Sequence, residues 1–187
     1  TETPAALTYS SVVSRESVRI ALTYAALNEL DILGCDVSNA YLEAPCREKF
    51  WLEAGPEFGD EEGAVMIIRR ALYGLKSSGA AWRQMISEIL VELNYENTLA
   101  DPDVWRRPMS KPNGFKYYEF ALVYVDDILI VSHAPQGTMH VLGTRFDLKD
   151  TVKSPDRYLG ANLRKWQLPD GRTCWSMSGK DYLKNAI

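Results

Sequence analysis

The stretch FALVYVDDILIVS, Phe120 to Ser132, sets two adjacent aspartates, Asp126 and Asp127, between two apolar runs. Each run has the length and the β-branched and aromatic content of a buried strand, so the stretch reads as a hairpin whose turn carries the acids. Withdrawing an ionised carboxylate from water costs several kcal/mol unless something compensates it, and two neighbours also repel each other. Aspartate is a common turn residue, but tight hairpins favour Asn-Gly or Asp-Gly, and here Asp127 is followed by β-branched Ile128. A magnesium ion at the tip of the hairpin would satisfy charges that turn chemistry leaves exposed.

Upstream, Ser14 is an N-cap for a predicted helix over Arg15 to Leu30, with Val18, Leu22, Ala25 and Ala26 at helical spacing and no proline or glycine. Ile32 to Val37 follows as a short buried strand broken by Asp36. The Pro- and Gly-bearing region Glu43 to Gly63 reads as an excursion from the core, with Phe50 to Leu52 and then Val65 to Arg70 as strands. Ser77 or Ser78 then caps a helix with Trp82, Met85, Ile86, Ile89, Leu90 and Leu93 on one stripe. Asp101 to Gly114 reads as loop, and past the hairpin a helix is predicted from about Gln136 to Leu148, with Met139, Leu142 and Phe146 on one side. Tyr158 to Leu163 and Thr173 to Met177 close the chain as strands about the turn Pro169-Asp170-Gly171. Reduced to its core the order is βαββαβ, an α+β arrangement in which the first strand can lie beside the hairpin and bring Asp36 to Asp126.

Composition narrows the field. A chain of 187 residues with 46% hydrophobic and 25% charged content is an ordinary globular one, and one domain accounts for it. No apolar run approaches the roughly 20 residues that span a bilayer, and the first ten residues lack the pattern of a signal peptide, so a soluble, intracellular protein without a membrane partner is expected. Cys35, Cys46 and Cys174 lie far apart and form no CxxC pair, and His133 and His140 are too few for a zinc ligand set. The net charge of -4 argues mildly against nucleic acid, yet Arg69, Arg70, Lys76 and Arg83 form one basic segment and Arg106, Arg107, Lys111 and Lys116 another.

Carboxylates from two strands suit a hard, oxygen-seeking ion. A pair of such ions roughly 3.5 to 4 Å apart would bind both the attacking and the leaving oxygen of a phosphoryl transfer. The fold alone does not choose a reaction, since nucleotide cyclases share it, but nothing like their glycine-rich turn precedes the acidic pair. Three blocks in order resemble the reverse transcriptase of copia-type LTR retrotransposons: CDVSNAYLEA from Cys35, ALYGLKSSGAAW from Ala71 and LVYVDDILIVS from Leu122. RFDLKD from Arg145 and RYLGANL from Arg157 fit the same family, and the resemblance runs from the Tyr9 segment to Ile187.

The resemblance implies a polymerase palm with a ferredoxin-like βαββαβ core and partial fingers, the thumb largely absent, so that residues 1–187 form one reverse transcriptase domain incomplete at both ends. It implies RNA-directed DNA synthesis with two Mg2+ ions, for which Mn2+ substitutes, held by Asp36, Asp126, Asp127 and the carbonyl of Val37, the three aspartates being catalytic. Asn39, Ala40, Tyr41, Tyr73, Gly74 and Lys76 would face the nucleotide, Tyr41 lying under the sugar. Tyr158, Leu159 and Gly160 would belong to a strand gripping the primer, and Lys149 matches a lysine proposed as general acid toward pyrophosphate. The implied partners are an RNA or DNA template with its primer, dNTPs, and the integrase and RNase H of a Pol polyprotein. The implied setting is a cytoplasmic virus-like particle or the nucleus. Against the pattern, Ser77-Ser78-Gly79-Ala80 stands where Gln-Ser-Pro-Arg is usual, Cys35 replaces a methionine, and the basic fingers strand would precede Thr1. These departures leave a second expectation, a catalytically incompetent remnant that only binds primer-template.

Overall fold

A computed structural model describes Thr8, residues 10–180 and Lys184, with the backbone alone at residues 150–153. Tyr9, where the resemblance begins, and the side chain of Asp150 lie outside the described residues, as does Ile187. In chain order the elements are α1 (Arg15–Leu27), β1 (Asp31–Val37), α2 (Ala40–Glu43), β2 (Trp51–Glu53), β3 (Val65–Ile67), α3 (Ser78–Glu92), β4 (Glu96–Asn97), β5 (Val104–Ser110), β6 (Lys116–Tyr124), β7 (Asp127–Ser132), α4 (Gln136–Arg145), β8 (Leu148–Lys153), β9 (Arg157–Tyr158), β10 (Ala161–Gln167) and β11 (Thr173–Ser178). The fold is α+β. Two compact units divide it, one of Asn39–Ile89 with the segment before Ser11, the other of Ser11–Ser38 with the chain from Leu90 onward.

The second unit holds a six-stranded sheet in the order β4-β5-β6-β7-β1-β8. Its inner neighbours β6-β7, β7-β1 and β1-β8 are all antiparallel. The first strand therefore lies beside the hairpin, the order a split βαβ sheet requires. Ile32 of β1, Leu122 of β6, and Leu129 and Val131 of β7 share a core with Val18, Ala21, Leu22 and Ala25 of α1 and with Tyr158 and Leu163. Each fully buried aliphatic side chain of this kind contributes about 1.5–3 kcal/mol. A separate three-stranded sheet, β11-β10-β9, supplies Tyr158 and Leu163 to that core.

Several boundaries differ from the expectation, each for a local reason. The first helix ends at Leu27 rather than Leu30, because Asn28 caps it and Glu29 adopts φ 50°. The amides of Glu29 and Leu30 then bond back to Ala26 and Ala25, a Schellman closure made without the glycine that would have announced it. Asp101 to Gly114, expected as loop, contains β5. Pro108 is tolerated there because β4 pairs only as far as Arg106, which leaves Pro108 on an open edge. The strand that completes the main sheet is Leu148–Lys153, which also shortens the preceding helix to Arg145. Tyr158 to Leu163 is not one strand but two, β9 and β10, folded about Leu159 and Gly160.

In the first unit β2 and β3 pair antiparallel, and Pro45 bridges Arg70. The segment after β3 turns tightly at Gly74 (φ 96°), and Ser78 opens α3 with its hydroxyl donating to the Leu72 carbonyl. The expected stripe on α3 is present, with Trp82, Ile86, Ile89 and Leu90 buried. Among the described residues no helix is long and apolar enough to cross a membrane.

Candidate active site

The acids meet because of register. In the β1–β7 ladder Asp36 stands directly opposite Asp127, and in the β1–β8 ladder it stands opposite Lys149. Directly opposed residues of antiparallel strands project to the same face, so Asp127, Asp36 and Lys149 form a row across three strands. Asp36 Oδ1 lies 2.9 Å from Lys149 Nζ, an ion contact whose angles fall outside hydrogen-bond geometry. The Val37 amide donates to the Asp126 carbonyl at 2.9 Å, locking the end of β1 to the hairpin turn.

That turn is Tyr124-Val125-Asp126-Asp127, closed by the Tyr124–Asp127 pair. Val125 carries φ 54°. Positive φ at the first central residue alone is the type II′ pattern, which glycine normally fills, and a β-branched residue there is strained. Residue preference points to Ile128, after Asp127, as the misfit in this turn, whereas the strained position is Val125.

Asp126 and Asp127 are both half-buried. Burial, then the carboxylates of Asp126 and Asp36, push the Asp127 carboxyl up to about 6, while Lys149 pulls it down. Burial and the same acids Asp127 and Asp36 push the neighbouring Cys35 thiol up to about 12, which leaves it protonated and inert at neutral pH. The site is thus short of positive charge. Among the described residues no three His, Cys, Asp or Glu side chains already converge as a ligand set. The donors present are nevertheless hard oxygens on adjacent strands, the chemistry that magnesium takes, and a cation there would relieve the repulsion that raises the Asp127 carboxyl.

A cleft of about 390 Å3 opens beside these acids. Asp36, Asp127 and Lys149 line it together with Pro155 to Gly160. Leu159 (φ 51°) and Gly160 (φ 73°) form a two-residue turn of the tight I′ kind, so the predicted primer-gripping strand presents a turn to the cleft. Tyr158 is fixed behind that turn, buried, with its hydroxyl donating to the Leu122 carbonyl at 3.2 Å.

The predicted nucleotide residues Asn39, Ala40, Tyr41, Tyr73, Gly74 and Lys76 all belong to the first unit. Within it the Tyr41 and Tyr73 rings lie 4.7 Å apart, and a Cβ at Gly79 would reach 3.8 Å from the Tyr41 hydroxyl. Asn39 adopts φ 50° at the start of α2. Tyr73 and Lys76 are exposed. Much of the basic segment around β5 and β6 is occupied by protein partners. Arg106 pairs with Glu96, Arg107 with buried Glu119, and Lys111 donates to the Asn28 carbonyl. Sequence reasoning missed Glu119, a charge buried in an apolar-looking run; it accepts bonds from Tyr95, Ser132 and Thr138.

Fold and site together define an α+β domain with an acidic cluster where a central hairpin meets its neighbouring strand. A family model described as reverse transcriptase (RNA-dependent DNA polymerase) matches residues 5–184. The chain belongs to that family. It is 32% identical over 148 residues to the retrovirus-related Pol polyprotein from transposon RE1 of Arabidopsis thaliana, covering 76% of this chain and 10% of the relative. To the corresponding polyprotein from transposon TNT 1-94 of Nicotiana tabacum it is 30% identical over 147 residues, covering 76% and 11%. To the Ty1-NL2 Gag-Pol polyprotein of Saccharomyces cerevisiae it is 32% identical over 83 residues, covering 44% and 5%. The chain spans about a tenth of the length of the Arabidopsis and tobacco relatives.

Proposed function

We propose that the chain carries the polymerase palm of a retrotransposon reverse transcriptase and extends a primer 3′-end on an RNA template. One observation carries this reading: Asp36 and Asp127 are register partners on adjacent strands, with Asp126 in the β6–β7 turn just before Asp127 and the family match spanning the whole arrangement. Asp36, Asp126, Asp127 and the Val37 carbonyl would hold magnesium. Two bound ions would supply a lowered pKa for the primer 3′-hydroxyl and compensation for the charge that develops on pyrophosphate.

The protein's own groups do the positioning. The Val37–Asp126 bond and the strained Val125 fix the hairpin tip, so the carboxylates need little reorganisation when charge develops. The Leu159-Gly160 turn lines the same cleft as Asp36 and Asp127, where its backbone groups would orient a primer terminus. Lys149 holds a proton on the acidic side of the cleft and is the candidate donor to the leaving pyrophosphate. Tyr41, steadied by Tyr73, is the candidate surface under the sugar, with Asn39, Ala40, Gly74 and Lys76 toward the triphosphate. The parent chain would bring integrase and RNase H activities from its remaining Pol domains.

Incorporation of a labelled dNTP onto a DNA primer annealed to RNA, with magnesium, tests the reading. Wild type extends the primer and Asp126→Asn loses at least about a hundredfold in rate. Equal extension by the two proteins refutes it. Tight primer-template binding with no incorporation by either would instead favour the binding remnant, the reading motivated by Ser77-Ser78-Gly79-Ala80 at the start of α3.

A further inference from the structure

Among the described residues, Lys149 is the cation paired with Asp36. Lys149 Nζ lies 2.9 Å from Asp36 Oδ1, on the strand flanking Asp36 opposite to the one that brings Asp127. Asp36 and Asp127 therefore share a face with one ammonium, Asp126 adds its charge from the adjoining turn, and Lys149 is the group that offsets the repulsion felt by Asp127. Of the two side chains 52% and 35% are exposed, although Asp36 Oδ1 itself is shielded from water. The contact lacks hydrogen-bond angles and its lysine is half exposed, so a divalent ion can compete for Asp36.

We propose that Lys149 is a built-in placeholder for the metal: its ammonium occupies Asp36 until a divalent ion arrives, and metal binding is an exchange that releases the lysine. The proposal rests on the carboxylate site assigned above. Two consequences follow from charge alone. A divalent ion must displace the ammonium from Asp36 and then sits near a positive group, so Lys149 lowers apparent metal affinity. The metal-free chain in turn owes part of its stability to Lys149, because without it Asp36 and Asp127 stand opposite each other uncompensated, with Asp126 nearby. The displaced ammonium stays on the lining of the cleft, so the exchange couples metal arrival to readiness of the proton donor.

Mn2+ binding followed by electron paramagnetic resonance, with thermal melting in parallel, tests this on the whole chain. Lys149→Gln is expected to bind Mn2+ about tenfold more tightly than wild type, from the removed charge repulsion. Lys149→Arg, which keeps the charge, stays within about twofold. The metal-free Lys149→Gln protein melts lower than wild type, and saturating Mn2+ closes the gap. Equal or weaker binding by Lys149→Gln, with wild type binding normally, overturns the placeholder while leaving the metal site standing. If neither wild type nor Lys149→Gln binds the ion above the level of Asp36→Asn, both the placeholder and the metal site fall.

Discussion

Val125 and Asp127 show how the hairpin stores unfavourable local energy where chemistry is expected. A β-branched residue at φ 54° costs of order 1–3 kcal/mol. Glycine would remove that strain for an entropic cost of about 1 kcal/mol. Val125→Gly should therefore match or exceed wild type in urea unfolding while incorporating nucleotide more slowly, because the tip is less fixed; a clear loss of stability would show that Val125 is not strained. Asp127 carries the second cost. Its folded pKa, about 6, is above the ordinary carboxylate value, so the folded chain binds this proton more tightly than the unfolded chain does. The stability associated with it is present below the unfolded value and lost as pH rises toward and through 6. Asp127→Asn should then gain on wild type in denaturation midpoint between pH 4.5 and 7 in metal-free buffer, and saturating magnesium should erase the gain. A difference independent of pH would contradict this. Asp126-Asp127 was legible in the sequence because two carboxylates in an apolar run are unusual. Val125 was not, since a backbone angle leaves no mark on residue type.

Between elements, register does what no single residue can. The pairing of β1 with both β7 and β8 aligns Asp127, Asp36 and Lys149, and a slip of one residue would send Asp36 to the opposite face. Farther along the hairpin, a buried network holds β6 and β7 to their other neighbours. Glu119 on β6, fully buried, pairs with Arg107 on β5 at 2.7 Å and accepts from Ser132 on β7 and Thr138 on α4, tying four elements together. Removing one partner of such a pair strands a charge, so Arg107→Met should cost about 3–5 kcal/mol in unfolding free energy. Arg107→Met with Glu119→Gln should recover part of that loss in the same urea titration; no recovery would mean that Arg107 acts through packing alone. The helices and the hairpin were readable from apolar period and from Ser14. Neither β5 nor β8 was, because Arg106, Arg107 and Pro108 mask an edge strand and Lys149 and Asp150 look like loop. Edge strands carry such residues for solubility, which blurs their signature.

At the scale of the molecule, the central strand order β6-β7-β1-β8 follows from the βαββαβ sequence of elements, and the family match over residues 5–184 agrees with the three sequence blocks. The division into two units was not legible. Asn39–Ile89 interrupts the second unit in sequence, and nothing in composition marks Ser38 or Ile89 as a boundary. The predicted site residues split along that division, the carboxylates and primer-facing turn in one unit and Tyr41, Tyr73 and Lys76 in the other. The central claim is that Asp36, Asp126 and Asp127 form a polymerase centre, and single-turnover incorporation of one dNTP opposite an RNA template, comparing wild type with Asp36→Asn, tests it most directly. Wild type should incorporate in a magnesium-dependent reaction, and Asp36→Asn should lose about a hundred- to a thousandfold with primer-template affinity retained. Equal rates in the two proteins would contradict it.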